Sequence, residues 1–206
     1  MPKNVGTFLD KGGYMPSKKN HIVPFQDVLA DLLKWLKGYP VVIIGGVAVS
    51  LLGRPRHTQD IDAMMLLDNE EWKKLLKNGK KFGFAPRIDN AIKFAQKNRV
   101  LLIKHINSSI GIDISFGALP FEEECIKRSR KIRLANINLP LPSAEDLIIM
   151  KAVSHRSKDI IDIESIVDAN PNLDIQRIKL WVTEFAALLE MPELWEDIEK
   201  LILKSK

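Results

Sequence analysis

Residues 43–65 read IIGGVAVSLLGRPRHTQDIDAMM, and this stretch decides the fold. It opens with the end of a β-branched run, VVII (41–44), which has the composition of a buried strand. That run breaks at the pair Gly45-Gly46, and the following AVSLLG predicts a short helix. The stretch closes on QDIDAMML (59–66), which alternates polar and apolar residues as a half-buried strand does. On such a strand Asp60 and Asp62 are two positions apart, so both side chains leave the same face.

Chemistry follows from this arrangement. Two neighbouring carboxylates repel each other, and a divalent cation relieves the repulsion. A Gly-Gly turn leading into a helix offers backbone N–H groups and a helix N-terminus, which together suit a phosphate. Arg54, Arg56 and Thr58 lie between the two features and are candidates to steady a triphosphate. A phosphate cradle beside a dicarboxylate predicts a nucleotide–Mg²⁺ site. Taken alone, a strand-borne Asp-x-Asp is more often structural, and a Gly-Gly turn is weaker still.

A third acid shifts that balance. VLLIKHI (100–106) and IGIDISFG (110–117) read as a hairpin, and Asp113 sits among apolar residues in its second strand. An acid in that position is costly unless it is paired or ligating. If this strand lies beside 59–66, Asp113 joins Asp60 and Asp62. Three carboxylates suit two Mg²⁺ ions about 3.5–4 Å apart, the arrangement for in-line phosphoryl transfer.

The combination of Gly45-Gly46, Arg56-x-Thr58-x-Asp60-Ile61-Asp62, the later apolar-Asp113-apolar strand, and Lys151 followed by Arg156-x-Lys158-Asp159-x-x-Asp162 resembles the polymerase β-like nucleotidyltransferases. It is most similar to the AbiEii toxin-type and minimal nucleotidyltransferases, over roughly residues 25–168. Gly46 departs from the wider superfamily, where many members carry Ser. The resemblance implies that Asp60 and Asp62 bind both Mg²⁺ ions, with Mn²⁺ as an alternative, and that Asp113 holds the one that activates an acceptor hydroxyl. It implies that Gly45, Gly46, Arg56, Thr58, Lys151 and Lys158 hold the NTP, with Asp159 or Asp162 orienting Lys151. It also implies an acceptor at a tRNA end or a protein hydroxyl, and a cognate antitoxin as partner.

Working outward, Ser143-x-x-Asp146 resembles a capping box and predicts one long helix to about Val167. On a continuous helix Lys151, His155, Lys158, Asp159 and Asp162 would share a sector of about 100°, opposite Ile149, Val153, Ile160, Ile163 and Val167. Without the resemblance this is a surface helix laced with ion pairs; with it, Lys151 points into a cleft and His155 is a further candidate to touch substrate. Before the core, PFQDVLADLLKWLKGYP predicts an amphipathic helix stopped by Gly38 and Pro40. Residues 70–82 read as a basic helix, KIRLANINLPLP (131–142) as a second pair of short strands, and the chain after DANPNLD as two amphipathic helices. The expected organisation is an arm over 1–23, an α+β nucleotidyltransferase core with a mixed sheet over 24–142, and a C-terminal helical domain over 143–206.

Composition narrows the function classes. The chain has 206 residues, 46% hydrophobic and 28% charged, which fits a globular protein with a hydrophobic core. The one cysteine, Cys125, excludes a disulfide framework and suits a reducing compartment. No apolar run is long enough to span a membrane and the first residues lack a signal-peptide core, so the expected location is the cytoplasm, with no membrane partner. The net charge is +5, yet residues 72–104 alone hold ten Lys/Arg against one acid, Asp89. That block favours a phosphate-rich acceptor such as RNA, although a solvated helix and hairpin would read the same way. Lys127-Arg128-Ser129-Arg130-Lys131-x-Arg133 fits either an RNA backbone or a charge-protected strand edge. His57 and His105 have no partner at ligand spacing, and the four tryptophans read as packing anchors. The alternatives are a non-catalytic nucleotide- or partner-binding protein that keeps the fold, and a nucleotidyltransferase acting on an antibiotic hydroxyl.

Overall fold

The computed structural model describes residues 23–204. The N-terminal arm expected over 1–23 therefore lies, Val23 aside, outside the described residues. Helix α1 (Phe25–Trp35) repeats apolar residues at helical spacing and buries Val28, Leu29, Leu32 and Trp35. Strand β1 (Val41–Ile44) runs directly into α2 (Gly45–Leu52), whose Gly46, Val47, Ala48 and Val49 are buried. Strand β2 (Ile61–Met65) starts one residue after Asp60. The basic segment forms α3 (Trp72–Gly79) and then a short 3-10 turn.

Three elements have no counterpart in the sequence expectations: β3 (Phe84–Pro86), α4 (Ala91–Asn98) and, after the hairpin, α5 (Pro120–Arg128). The hairpin itself is β4 (Val100–His105) with β5 (Gly111–Phe116), paired antiparallel from Val100–Ser115 to Lys104–Gly111. These strands build one mixed sheet in the order β1-β2-β5-β4-β3. Its single parallel pairing, β2 with β5, sets Asp62 opposite Asp113. Neighbours in register on adjacent strands project to the same face, so the pairing carries the dicarboxylate over to the third acid. Trp72 stacks on Phe116, centroids 4.0 Å apart, and Trp35 on Phe84 at 5.1 Å. Both tryptophans are buried and anchor helices to the sheet.

A two-stranded ribbon, β6 (Arg130–Leu134) and β7 (Ile137–Leu141), leads to the C-terminal helices. On β6 Arg130, Lys131 and Arg133 are exposed.

The single helix expected from Ser143 to Val167 is two helices. Ser143 caps α6 (Ala144–Ser154) through its hydroxyl, which accepts the Asp146 N–H at 3.1 Å. At His155 the backbone turns left-handed, φ +45°, and Arg156 is extended before α7 (Ser157–Ala169) begins. The break is held by Asp159, whose carboxylate accepts the N–H and guanidinium of Arg156 at the start of α7 and Lys151 from α6. Helices α8 (Ile175–Leu189) and α9 (Leu194–Lys204) complete the chain, with Ile178, Val182, Ala186, Leu194, Ile198 and Ile202 buried. Among the described residues no helix is long and apolar enough to cross a membrane.

Candidate active site

The start of β2, the edge of β5, the first turn of α2 and the α6–α7 junction surround a cleft of about 370 Å³. Asp60, Asp62 and Asp113 line it from the sheet; Gly45, Gly46, Arg56 and Thr58 from the β1–β2 connection; Lys151, Arg156 and Lys158 from the helices. The tertiary structure thus gathers the three acids with most of the predicted cations.

The glycine pair does two different jobs. Gly45 has φ +61°, and Asp62's carboxylate lies where its Cβ would be. At Gly46 a Cβ would meet Thr58 Oγ1 at 2.5 Å and Arg56 Nη1 at 3.5 Å. A serine at 46 would collide with Thr58, which is the physical reason for the second glycine here. The Asp62 carboxylate thus packs directly against the backbone at the start of α2. A carboxylate at that helix end is placed where negative charge is favoured. Ser50 ties this region together, its hydroxyl lying 2.9 Å from the carbonyls of both Gly46 and Arg56 and donating to one of them at a time.

The acids are uneasy. Burial pushes the Asp62 carboxyl above the usual carboxylate range; Lys151 opposes this and Asp60 reinforces it. Burial likewise raises Asp113, with Asp62 and Asp60 pushing the same way against Arg87. A cation with oxygen ligands would relieve all three, so the donor set fits Mg²⁺ or Mn²⁺. As they stand, no three His, Cys, Asp or Glu side chains among the described residues are gathered tightly enough to hold one ion. Asp113 is instead paired with Arg87 at 2.7 Å.

The helical side is arranged differently. Lys151, only 8% exposed, donates to Asp159 at 2.9 Å and pairs with Asp162 at 2.8 Å. Arg56 grips Asp162 with two nitrogens, at 2.8 and 3.0 Å, and Arg156 grips Asp159. Asp159 and Asp162 are fully or almost fully buried behind the cleft. Burial alone would raise Asp159, but the hydrogen bonds from Arg156 and Lys151 outweigh it and hold the carboxyl below its ordinary value. Lys151 reaches the cleft with its charge already answered, and this network is no solvated surface helix.

Other predicted residues lie elsewhere. His155, at the break, has Nε2 3.5 Å from Asp197 of α9 and does not line the cleft. Arg54 turns to Asp168 of α7. His57 is exposed, while His105 is buried with Nδ1 3.0 Å from Ser108 Oγ. Cys125 is buried, and burial pushes its thiol up to about 12, so it is no nucleophile. Arg156 lines the cleft although the motif that contains it gave it no role. Arg87 was missed altogether, because only the β3–β4 pairing brings it to Asp113.

A mixed sheet with an Asp-x-Asp strand beside a third Asp, a glycine turn into a short helix and a helical C-terminal part define a nucleotidyltransferase fold. Solved structures agree. The solution structure of the antibiotic-resistance factor ANT(2'')-Ia is similar with a TM-score of 0.53 at 15% identity, over 82% of this chain and 92% of that one. The crystal structure of ANT(2'')-Ia with adenylyl-2''-tobramycin gives 0.52 at 17%, over 80% and 95%. An antigenic nucleotidyltransferase-like protein from Paracoccidioides brasiliensis gives 0.50 at 18%, over 84% and 89%. The chain belongs to the family described as nucleotidyltransferase of unknown function (DUF6036), whose model matches residues 25–196. No curated protein matches it.

Proposed function

We propose that this protein transfers a nucleoside monophosphate from an NTP to an acceptor hydroxyl with the help of divalent cations. The observation that carries this reading is the registered pair Asp62–Asp113 on β2 and β5, with Asp60 beside it, facing a cleft whose other wall is cationic. Asp60, Asp62 and Asp113 would hold Mg²⁺ or Mn²⁺, which when bound neutralises the triphosphate and acidifies the hydroxyl. Lys158 and Arg156, with Arg56, Thr58 and Lys151 behind them, would steady the phosphates, while Gly45 and Gly46 keep the α2 end open. The acceptor oxygen bonds to the α-phosphorus, the bond to the β-phosphate bridge breaks, pyrophosphate leaves, and the hydroxyl proton is lost to water. Catalysis is then positioning plus charge neutralisation.

The acceptor we favour is RNA, such as a tRNA end, with a protein hydroxyl next. Residues 72–104 hold ten basic side chains to one acid, and one of them, Arg87, reaches Asp113. The similarity of the motifs to AbiEii-type and minimal nucleotidyltransferases supports a toxin whose cognate antitoxin restrains it. A small hydroxyl-bearing molecule is the second reading, suggested by the adenylyl-2''-tobramycin complex of a protein with this fold.

The test is label transfer from each of four α-³²P NTPs, with Mg²⁺, into total tRNA, whole-cell protein and aminoglycosides. Label with wild type and none with Asp60→Ala establishes the reaction and names the acceptor. No label in any arm, with folded protein, moves the reading to a nucleotide- or partner-binding protein.

A further inference from the structure

Arg87 follows directly on β3, in a segment where the sequence shows no pattern. Its N–H donates to the Leu102 carbonyl at 3.0 Å, which fixes the residue beside β4. Its Nη2 donates to Asp113 Oδ1 at 2.7 Å. Its Nη1 and Asp60 Oδ1 each lie 2.6 Å from the point a Cβ would occupy at Gly111. The guanidinium therefore rests over Gly111 between two of the three site carboxylates, in space that only a glycine leaves free. Lys151, Arg56 and Arg156 are committed to Asp159 and Asp162. Arg87 also lines a second pocket of about 840 Å³, with Lys73, Ile88, Asp89, Ile92 and Lys93, so open space and a further acid lie beside it.

We propose that Arg87 is an internal counter-cation: it holds Asp113 while the cleft is empty and swings away before the carboxylates take up a divalent cation. The inference rests on the reading of Asp60, Asp62 and Asp113 as the cation site. Guanidinium and metal compete for the same Asp113 carboxylate, so the apparent metal affinity is reduced by the fraction of molecules in which the ion pair is open. Each partner is about one-third exposed, 34% and 33%, so the pair is of modest strength and can open.

The experiment is a Mn²⁺ titration of the full chain followed by electron paramagnetic resonance, with and without a non-hydrolysable NTP analogue. Wild type, Arg87→Gln, Asp113→Asn and the double variant are compared, with folding checked by circular dichroism. Arg87→Gln is expected to bind Mn²⁺ about two- to tenfold tighter without nucleotide, and to gain more in melting temperature on Mg²⁺ addition than wild type does. In the Asp113→Asn background the same substitution should raise affinity by clearly less, since the guanidinium has lost its hydrogen-bonded partner and acts only through nearby Asp60. Equal or weaker Mn²⁺ binding by Arg87→Gln, with wild type binding normally, overturns the counter-cation role and leaves the carboxylate site standing. No Mn²⁺ binding by any variant, even with the NTP analogue, overturns both.

Discussion

One group of aspartates lines the cleft and a second is buried behind its opposite wall, and the two are in different electrostatic states. On the sheet, Asp60, Asp62 and Asp113 repel one another, and burial holds Asp62 and Asp113 above the ordinary carboxylate range. At the α6–α7 break, Asp159 and Asp162 are more deeply buried, yet Lys151, Arg56 and Arg156 satisfy them and Asp159 is held low. Burial depth does not explain the difference, since the deeper pair is the better satisfied; supply of partners does. Charges that are buried and fully partnered belong to the framework. Acids left wanting a cation at a cleft mark the place where a ligand completes the structure. The helical wall therefore acts as a frame for the sheet wall, whose acids have fewer partners.

Substitutions can break this contrast. The largest effect is expected from Asp62→Ala, which should cost about 10³-fold or more in nucleotidyl transfer while leaving the melting temperature unchanged or raised; label incorporation and thermal melting read the two sides. A large stability loss instead would place Asp62 in the framework. Asp159→Ala should do the reverse, costing about 3–5 kcal/mol in urea unfolding, because Lys151 and Arg156 are left short of a buried partner. Gly46→Ser is expected to cost about 1–3 kcal/mol, as its Cβ meets Thr58 Oγ1 at 2.5 Å and Thr58 Cβ at 2.9 Å; pairing it with Thr58→Ala should recover only the part due to the hydroxyl, and Thr58→Gly more.

The pH dependence sharpens the comparison with the smallest energies. The folded protein holds the Asp62 proton to higher pH than the unfolded chain does, so stability falls as pH rises between the two values. Asp62→Asn should remove that loss and stabilise the protein near neutrality by about 0.5–2 kcal/mol, the gain vanishing in acid. Asp159 has the opposite sign: its contribution is present above the unfolded value and is lost as pH falls through the depressed folded one. Melting curves across the acid range for wild type and Asp62→Asn check both directions. A gain that persists in acid would mean that charge is not the cause.

Much of the site was legible because it is local. The glycine turn and Asp60-x-Asp62 fall within one short stretch, and Asp113 betrays itself as an acid in an apolar strand. The helical wall was legible in membership but not in cause. Lys151, Asp159 and Asp162 do meet, but through a left-handed residue at His155 rather than a shared sector of one straight helix. That break leaves no periodic trace, since the apolar pattern runs on through it.

The sequence by itself determined the fold class and the chemistry available: a strand–Gly-Gly–helix opening, three acids that need compensation, and cations enough to answer them. Those follow from periodicity and from the cost of charge, which are properties of neighbouring residues. Only the tertiary structure decided which cation answers which acid. The β2–β5 register put Asp113 beside Asp62, the folded-back α7 gave Lys151 to the framework, and the β3–β4 pairing delivered Arg87 to Asp113. Such pairings join residues far apart in the chain, and an ion pair has no sequence period to announce it.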